Sequence, residues 1–160
     1  MGLPALIEED VRMLDAVLDD FLARSEAALA LIIDKGGPLI SRRGAADGFD
    51  TTTIAALAAG SFCATQAIAG LIGETAFSNI YQQGEHHSLL LRNIDDDVLL
   101  IVIFNAEIGA GAVKYYAEAA AVQIGDHLQK ARRRAPDESM DLVSMNVSDV
   151  SNIFKAKSKS

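Results

Sequence analysis

The sequence predicts an α/β domain of element order α-β-β-α-β-β-β-α, and three features point to it. Two short apolar runs are hinged on a Gly-Gly turn, a long uncharged helical stretch opens on an aspartate, and a continuously apolar strand lies late in the chain. The first element is an amphipathic helix over residues 6–24. There Ile7, Val11, Leu14, Leu18 and Phe21 recur at steps of four and three, with Glu8, Glu9, Asp15, Asp19 and Asp20 between them, the spacing of one buried stripe. Ala27 to Asp34 and Pro38 to Arg43 follow as two strands of a hairpin, joined by Asp34-Lys35-Gly36-Gly37, whose glycines permit the positive φ of a tight turn.

Asp50 precedes the central helix, where its carboxylate can accept from the free amides of the first turn. From Thr51 to Ile72 the helix is apolar on nearly every side. Such a helix must be covered all round, so a second subunit is expected on one face. Ala56, Gly60, Cys63, Ala67 and Gly70 form a ridge of small residues that lets another backbone approach, although small residues also serve in packing on a sheet. The larger Ile54, Leu57, Phe62, Ile68 and Leu71 are assigned to the sheet-facing side, and Cys63 is read as a buried small hydrophobe.

After Gly73, three strands are expected at Asn79 to Gly84, Ser88 to Ile94 and Val98 to Phe104, with Asp95-Asp96-Asp97 as a solvated turn between the last two. The run Val98 to Phe104 does not alternate, which places it at the sheet centre with both faces covered. Asn79, Ile80, Tyr81, Gln82 and Gln83 read as the edge strand best suited to pair across a two-fold axis. A third helix runs from Gly109 to about Arg134, with Val113, Ala117, Ala120, Ile124 and Leu128 on one stripe and Arg132 to Arg134 complementing the dipole of its last turn. Pro136 ends it. Residues 136–160 form a polar tail, relieved by Val147, Val150, Ile153 and Phe154, where a short amphipathic helix at 148–154 could dock through Val150, Ile153 and Phe154.

A formal net charge of −8 excludes the basic face that phosphate contacts require, so no nucleic-acid partner is expected. No window is read as a membrane span, the N-terminal Glu8, Glu9 and Asp10 are unlike a signal peptide, and one cysteine makes no internal disulfide; the expected location is the cytoplasm. His86 and His87 are adjacent and would point to opposite faces of a strand, so they cannot share a metal. No GxxxxGK[ST] loop is present, and neither cofactor nor metal nor catalytic constellation is expected. Arg42 and Arg43, at the end of the second strand, are formal candidates for an arginine finger directed at a partner.

The run Leu31-Ile32-Ile33-Asp34-Lys35-Gly36-Gly37-Pro38-Leu39-Ile40-Ser41 followed by Phe49-Asp50-Thr51-Thr52 resembles the Roadblock/LC7 pattern of hairpin, loop and capped helix. Leu71-Ile72-Gly73-Glu74 and Val102-Ile103-Phe104 are similar to its MglB-like branch, as are Ser148-Asp149 and Asn152-Ile153-Phe154 in the tail. Cys63, Thr65 and Gln66 depart from the branch. The resemblance covers residues 5–135. It implies a profilin-like sandwich, a five-stranded antiparallel sheet with helices on both faces. It also implies a homodimer paired through the central helix and following strand. That dimer would bind the GTP-bound form of an MglA-like Ras-type GTPase and act on it as a GTPase-activating protein without an arginine finger. Such a regulator would act in bacterial cell polarity or motility and concentrate at a cell pole. The alternative is a non-catalytic dimeric scaffold for a GTPase, a motor or a kinase.

Overall fold

The computed structural model describes residues 2–134; the expected tail segment at 148–154, with Val150, Ile153 and Phe154, lies outside them. The elements are α1 (Glu8–Ser25), β1 (Leu29–Asp34), β2 (Leu39–Gly44), α2 (Thr51–Leu71), β3 (Asn79–Gln83), β4 (His87–Asn93), β5 (Val98–Asn105) and α3 (Ala110–Arg133). This is the expected order, with boundaries shifted by a few residues. The strands form one antiparallel sheet in the order β2-β1-β5-β4-β3. β5 is central and buried from Val98 to Phe104, because helices cover both of its faces.

Alternation along the strands divides the interior in two. On one side Ala30, Ile32, Leu90, Leu100 and Val102 meet Leu14, Leu18 and Phe21 of α1 and the whole expected α3 stripe. On the other, Leu29, Leu31, Ile33, Leu91, Leu99 and Ile101 meet Ala55, Ala58, Ala59 and Phe62 of α2. In the β1–β2 turn Gly37 takes φ +121°, and at the end of β2 Gly44 takes φ +107°, where a Cβ would lie 2.3 Å from the Ala28 carbonyl oxygen. Only glycine fits there.

Ion pairs between residues far apart in the chain fasten α3. The Asp10 carboxylate, 1% exposed, accepts two hydrogen bonds from the Arg134 guanidinium at 2.7 and 2.9 Å and one from the Ile7 amide at 2.9 Å; His127 Nε2 lies 2.9 Å away. The Arg134 hydrogen bonds hold the Asp10 pKa down at about 2 against the opposing effect of burial. Arg132 donates to Asp95 and Asp97 at 3.1 and 3.2 Å. The acidic turn is therefore not the solvated turn expected: its two outer aspartates are half-buried beneath α3, and Asp95 also accepts from the amides of Asp97 and Val98.

Candidate partner interface

α2 is the element on which the candidate site is built. Asp50 caps it, accepting from the Thr53 amide at 3.1 Å and the Thr53 hydroxyl at 2.7 Å; the Thr53 hydroxyl is the first cause of its lowered pKa. The helix lies over β1, β2 and β5. It packs on them through Ala55, Ala58, Ala59 and Phe62, so the side facing the sheet is made mostly of alanine. Small residues let the helix axis sit close to the sheet, and Phe62 fills the middle, with the Lys35 ammonium 4.9 Å from its ring centroid.

This reverses part of the expectation. Leu57 is 70% exposed and Leu71 86%; Ile68 is also exposed and Ile54 half-buried, leaving Phe62 alone of the five large residues fully inside. Cys63 is exposed as well. The apolar residues go almost all round α2, so periodicity could not say which side meets the sheet. The small ridge does lie outward: Ala56, Gly60, Cys63, Ala67 and Gly70 are all exposed, with Leu57 and Ile68 beside them. The outer face of α2 is thus a continuous apolar strip without a single charge. By length and composition Thr51–Leu71 is also apolar enough to cross a membrane, contrary to the sequence reading. In this fold the same apolar character is divided between the sheet and the outer face.

From the end of α2 the chain turns at Gly73, φ +84°, and Gln66 Oε1 accepts from the Phe77 amide at 3.1 Å, tying the connection back to the helix. It leads into β3, one of the two sheet edges. Ile80 packs toward the α2 side, whereas the Tyr81 ring stacks on Phe104 with centroids 6.1 Å apart and lies near Lys114 of α3. Asn79, Gln82 and Gln83 are exposed. The edges differ in chemistry: β2 carries Arg42 and Arg43 and a register shift opposite Ile32/Ile33, features that discourage pairing, while β3 is uncharged. The apolar strip and the open edge are joined by one short connection.

The two arginines are engaged. Arg43 holds Asp19 of α1 with two hydrogen bonds at 2.8 and 2.9 Å, and Arg42 donates to Thr51 at 3.2 Å. Among the described residues, no three His, Cys, Asp or Glu side chains are grouped to hold a metal ion. His87 lies edge-on to Phe49, centroids 5.5 Å apart. His127, Asp10 and Arg134 were missed as a cluster in the sequence because 117 and 124 positions separate the partners.

The Roadblock/LC7 domain model matches residues 13–104. No curated protein sequence matches the chain. Among solved structures, Myxococcus xanthus MglB is 30% identical with a TM-score of 0.77, the match covering 82% of this chain and 98% of that one. The gliding protein MglB from Thermus thermophilus is 27% identical, TM-score 0.74, over 81% and 98% of the two chains. A further structure, described as MglB with a tetrameric arrangement, is 28% identical, TM-score 0.75, over 82% and 98%. With the family model matched from Met13 to Phe104 and a solved relative 30% identical over most of the chain, this chain belongs to the Roadblock/LC7 family.

Proposed function

We propose that this chain is a homodimeric regulator of a Ras-like, MglA-type small GTPase, acting as a GTPase-activating protein in the bacterial cytoplasm, at a cell pole, in the control of polarity or motility. The observation that carries the reading is the uncharged apolar strip on α2, continuous with the uncharged β3 edge, in a chain whose solved neighbours include MglB proteins. Pairing β3 with its twin across a two-fold axis satisfies its outward backbone groups and sets the two α2 strips side by side on one face, each covering part of the other. That doubled face is a docking platform for a GTPase.

Stimulation on this reading works without an inserted arginine. Arg43 is held by Asp19 and Arg42 by Thr51, so a finger from β2 would first have to break these contacts. The platform instead repositions the GTPase's own residues around the γ-phosphate, a task that needs shape and rigidity rather than a new charge. The test is single-turnover GTP hydrolysis by the cognate MglA-like GTPase with and without this protein, alongside size-exclusion chromatography of the mixture in the GTP state. Co-elution and an acceleration of about tenfold, roughly 1.4 kcal/mol off the barrier, are expected. Binding without acceleration would make the protein a scaffold, and neither would remove the partner assignment.

A further inference from the structure

α2 joins the core of the sheet only through its first half. Ala55, Ala58, Ala59 and Phe62 pack there, whereas from Cys63 to Leu71 Ala69 alone is buried. The rest of the second half stands out as an uncharged prong, with Ile68 and Leu71 exposed and Ile72 exposed just beyond. What borders this apolar strip is acidic. Asp47 and Asp50 are exposed where the helix begins, and Glu85 is exposed on the β3–β4 hairpin, which reaches that end through the contact of His87 with Phe49. Glu74 is exposed where the helix ends, its amide bonded to the Ala69 carbonyl oxygen at 2.8 Å. Elsewhere many carboxylates are matched by arginines: Glu8 by Arg12, Asp20 by Arg24, Asp19 by Arg43 and Glu118 by Arg92. Among the described residues, no Lys or Arg forms an ion pair with Asp47, Asp50, Glu74 or Glu85, and Glu85 has only His86, 3.9 Å away. Arg42 donates to the Thr51 hydroxyl, and the Lys35 ammonium is engaged by the Asp95 carbonyl and the Phe62 ring.

We propose that the surface received on this strip is a patch of a small GTPase in which exposed apolar side chains are bordered by lysines and arginines, and that the carboxylates around α2 steer it into place. This rests on the GTPase reading and adds to it the chemistry of the partner's face. Charge selects that occupant. A second copy laid face to face on the strip would set the same carboxylates against one another, and like charges brought together oppose association. Anionic lipid headgroups are repelled for the same reason, although α2 is long and apolar enough to cross a bilayer. A basic border, by contrast, is attracted at both ends of the helix. At physiological salt the screening length is about 8 Å, so rim charges act on an approaching partner while charges on the far side of the sheet do not. Steering of this kind raises the rate of arrival and leaves the hydrolysis chemistry to the partner's own residues.

The test follows association of the full chain with the cognate MglA-like GTPase, loaded with a non-hydrolysable GTP analogue, by stopped flow from about 20 to about 500 mM salt. The association rate constant should fall about tenfold or more over that range, with the dissociation rate nearly constant. Asp47→Lys and Glu74→Lys, both at exposed positions outside the helix, should each slow association about threefold at low salt and leave the unfolding midpoint in place. Glu9→Lys makes the same change of net charge on α1, across the sheet, and should not slow it. A complex whose association ignores salt, or that Glu9→Lys slows as much as Glu74→Lys, overturns the proposal and leaves the GTPase reading standing. Absence of any complex removes both. If Glu74→Lys alters only the self-association of the chain, measured by sedimentation, the rim belongs to the twin subunit and the proposal falls.

Discussion

Asp10 combines three jobs in one carboxylate: it reaches back to the Ile7 amide at the start of α1, receives the fork of Arg134 and lies against His127, all at 1% exposure. Removing one member of a buried pair leaves the other charge without its partner, so Asp10→Asn should cost about 3 kcal/mol, read from urea unfolding at neutral pH. The pH dependence has a definite sign. Because the folded pKa lies at about 2, below the ordinary aspartate value, the ionised form is the one the fold favours. Its contribution, about 2 kcal/mol, is complete above the unfolded value and is lost as pH falls from about 4 toward the folded value. A comparison of wild type and Asp10→Asn across that range should therefore show their stabilities converging in acid. Gly44 is a residue with no substitute at its position. Gly44→Ala pushes a Cβ against the Ala28 carbonyl in a left-handed conformation and should lose about 2 kcal/mol or more, measured by thermal unfolding.

At the scale of the element, α2 is asymmetric in a way its composition hides. Its alanine side lies on the sheet and its larger aliphatic residues face outward, which makes good sense only if something covers them. Paired substitutions separate the two sides. Ala67→Arg, on the exposed ridge, should leave the chain folded but eluting as a monomer, its unfolding midpoint lowered only by the lost association and no longer dependent on concentration. Ala58→Arg, 6% exposed and facing the sheet, should abolish folding because a guanidinium has no room or partner there. Similar effects from both would mean that the ridge is not an interface. The cap is a smaller contribution: Asp50→Ala should cost about 1 kcal/mol through the loss of both Thr53 hydrogen bonds.

At the scale of the whole molecule, one sheet separates two interiors of unequal cover. The α1/α3 side is closed by two helices and fastened by ion pairs, whereas the α2 side is closed by one helix whose back is apolar. If a twin subunit covers that back, folding and association are linked, and the unfolding midpoint should rise with protein concentration by mass action. Calorimetry over a wide concentration range reads this directly. A midpoint independent of concentration would mean that the strip is stable uncovered, and the homodimer would have to be abandoned.

Periodicity and turn chemistry made most of the fold legible. The α1 and α3 stripes, the Asp50 cap, the Gly-Gly hairpin and the central position of the unbroken Val98 to Phe104 run all follow from local pattern, because each depends on neighbours within one or two turns or strands. The orientation of α2 did not, since a helix apolar on nearly every side carries no phase; Leu57, Ile68 and Leu71, assigned to the sheet-facing side, stand outward. Nor did the Asp10 cluster or the Arg132 bridge to Asp95 and Asp97, whose members meet only when α3 closes over α1 and the β4–β5 turn. Short-range order is written in residue spacing, but which apolar side is buried and which distant charges meet are settled by packing, because only the assembled sheet supplies the surface against which those side chains are sorted.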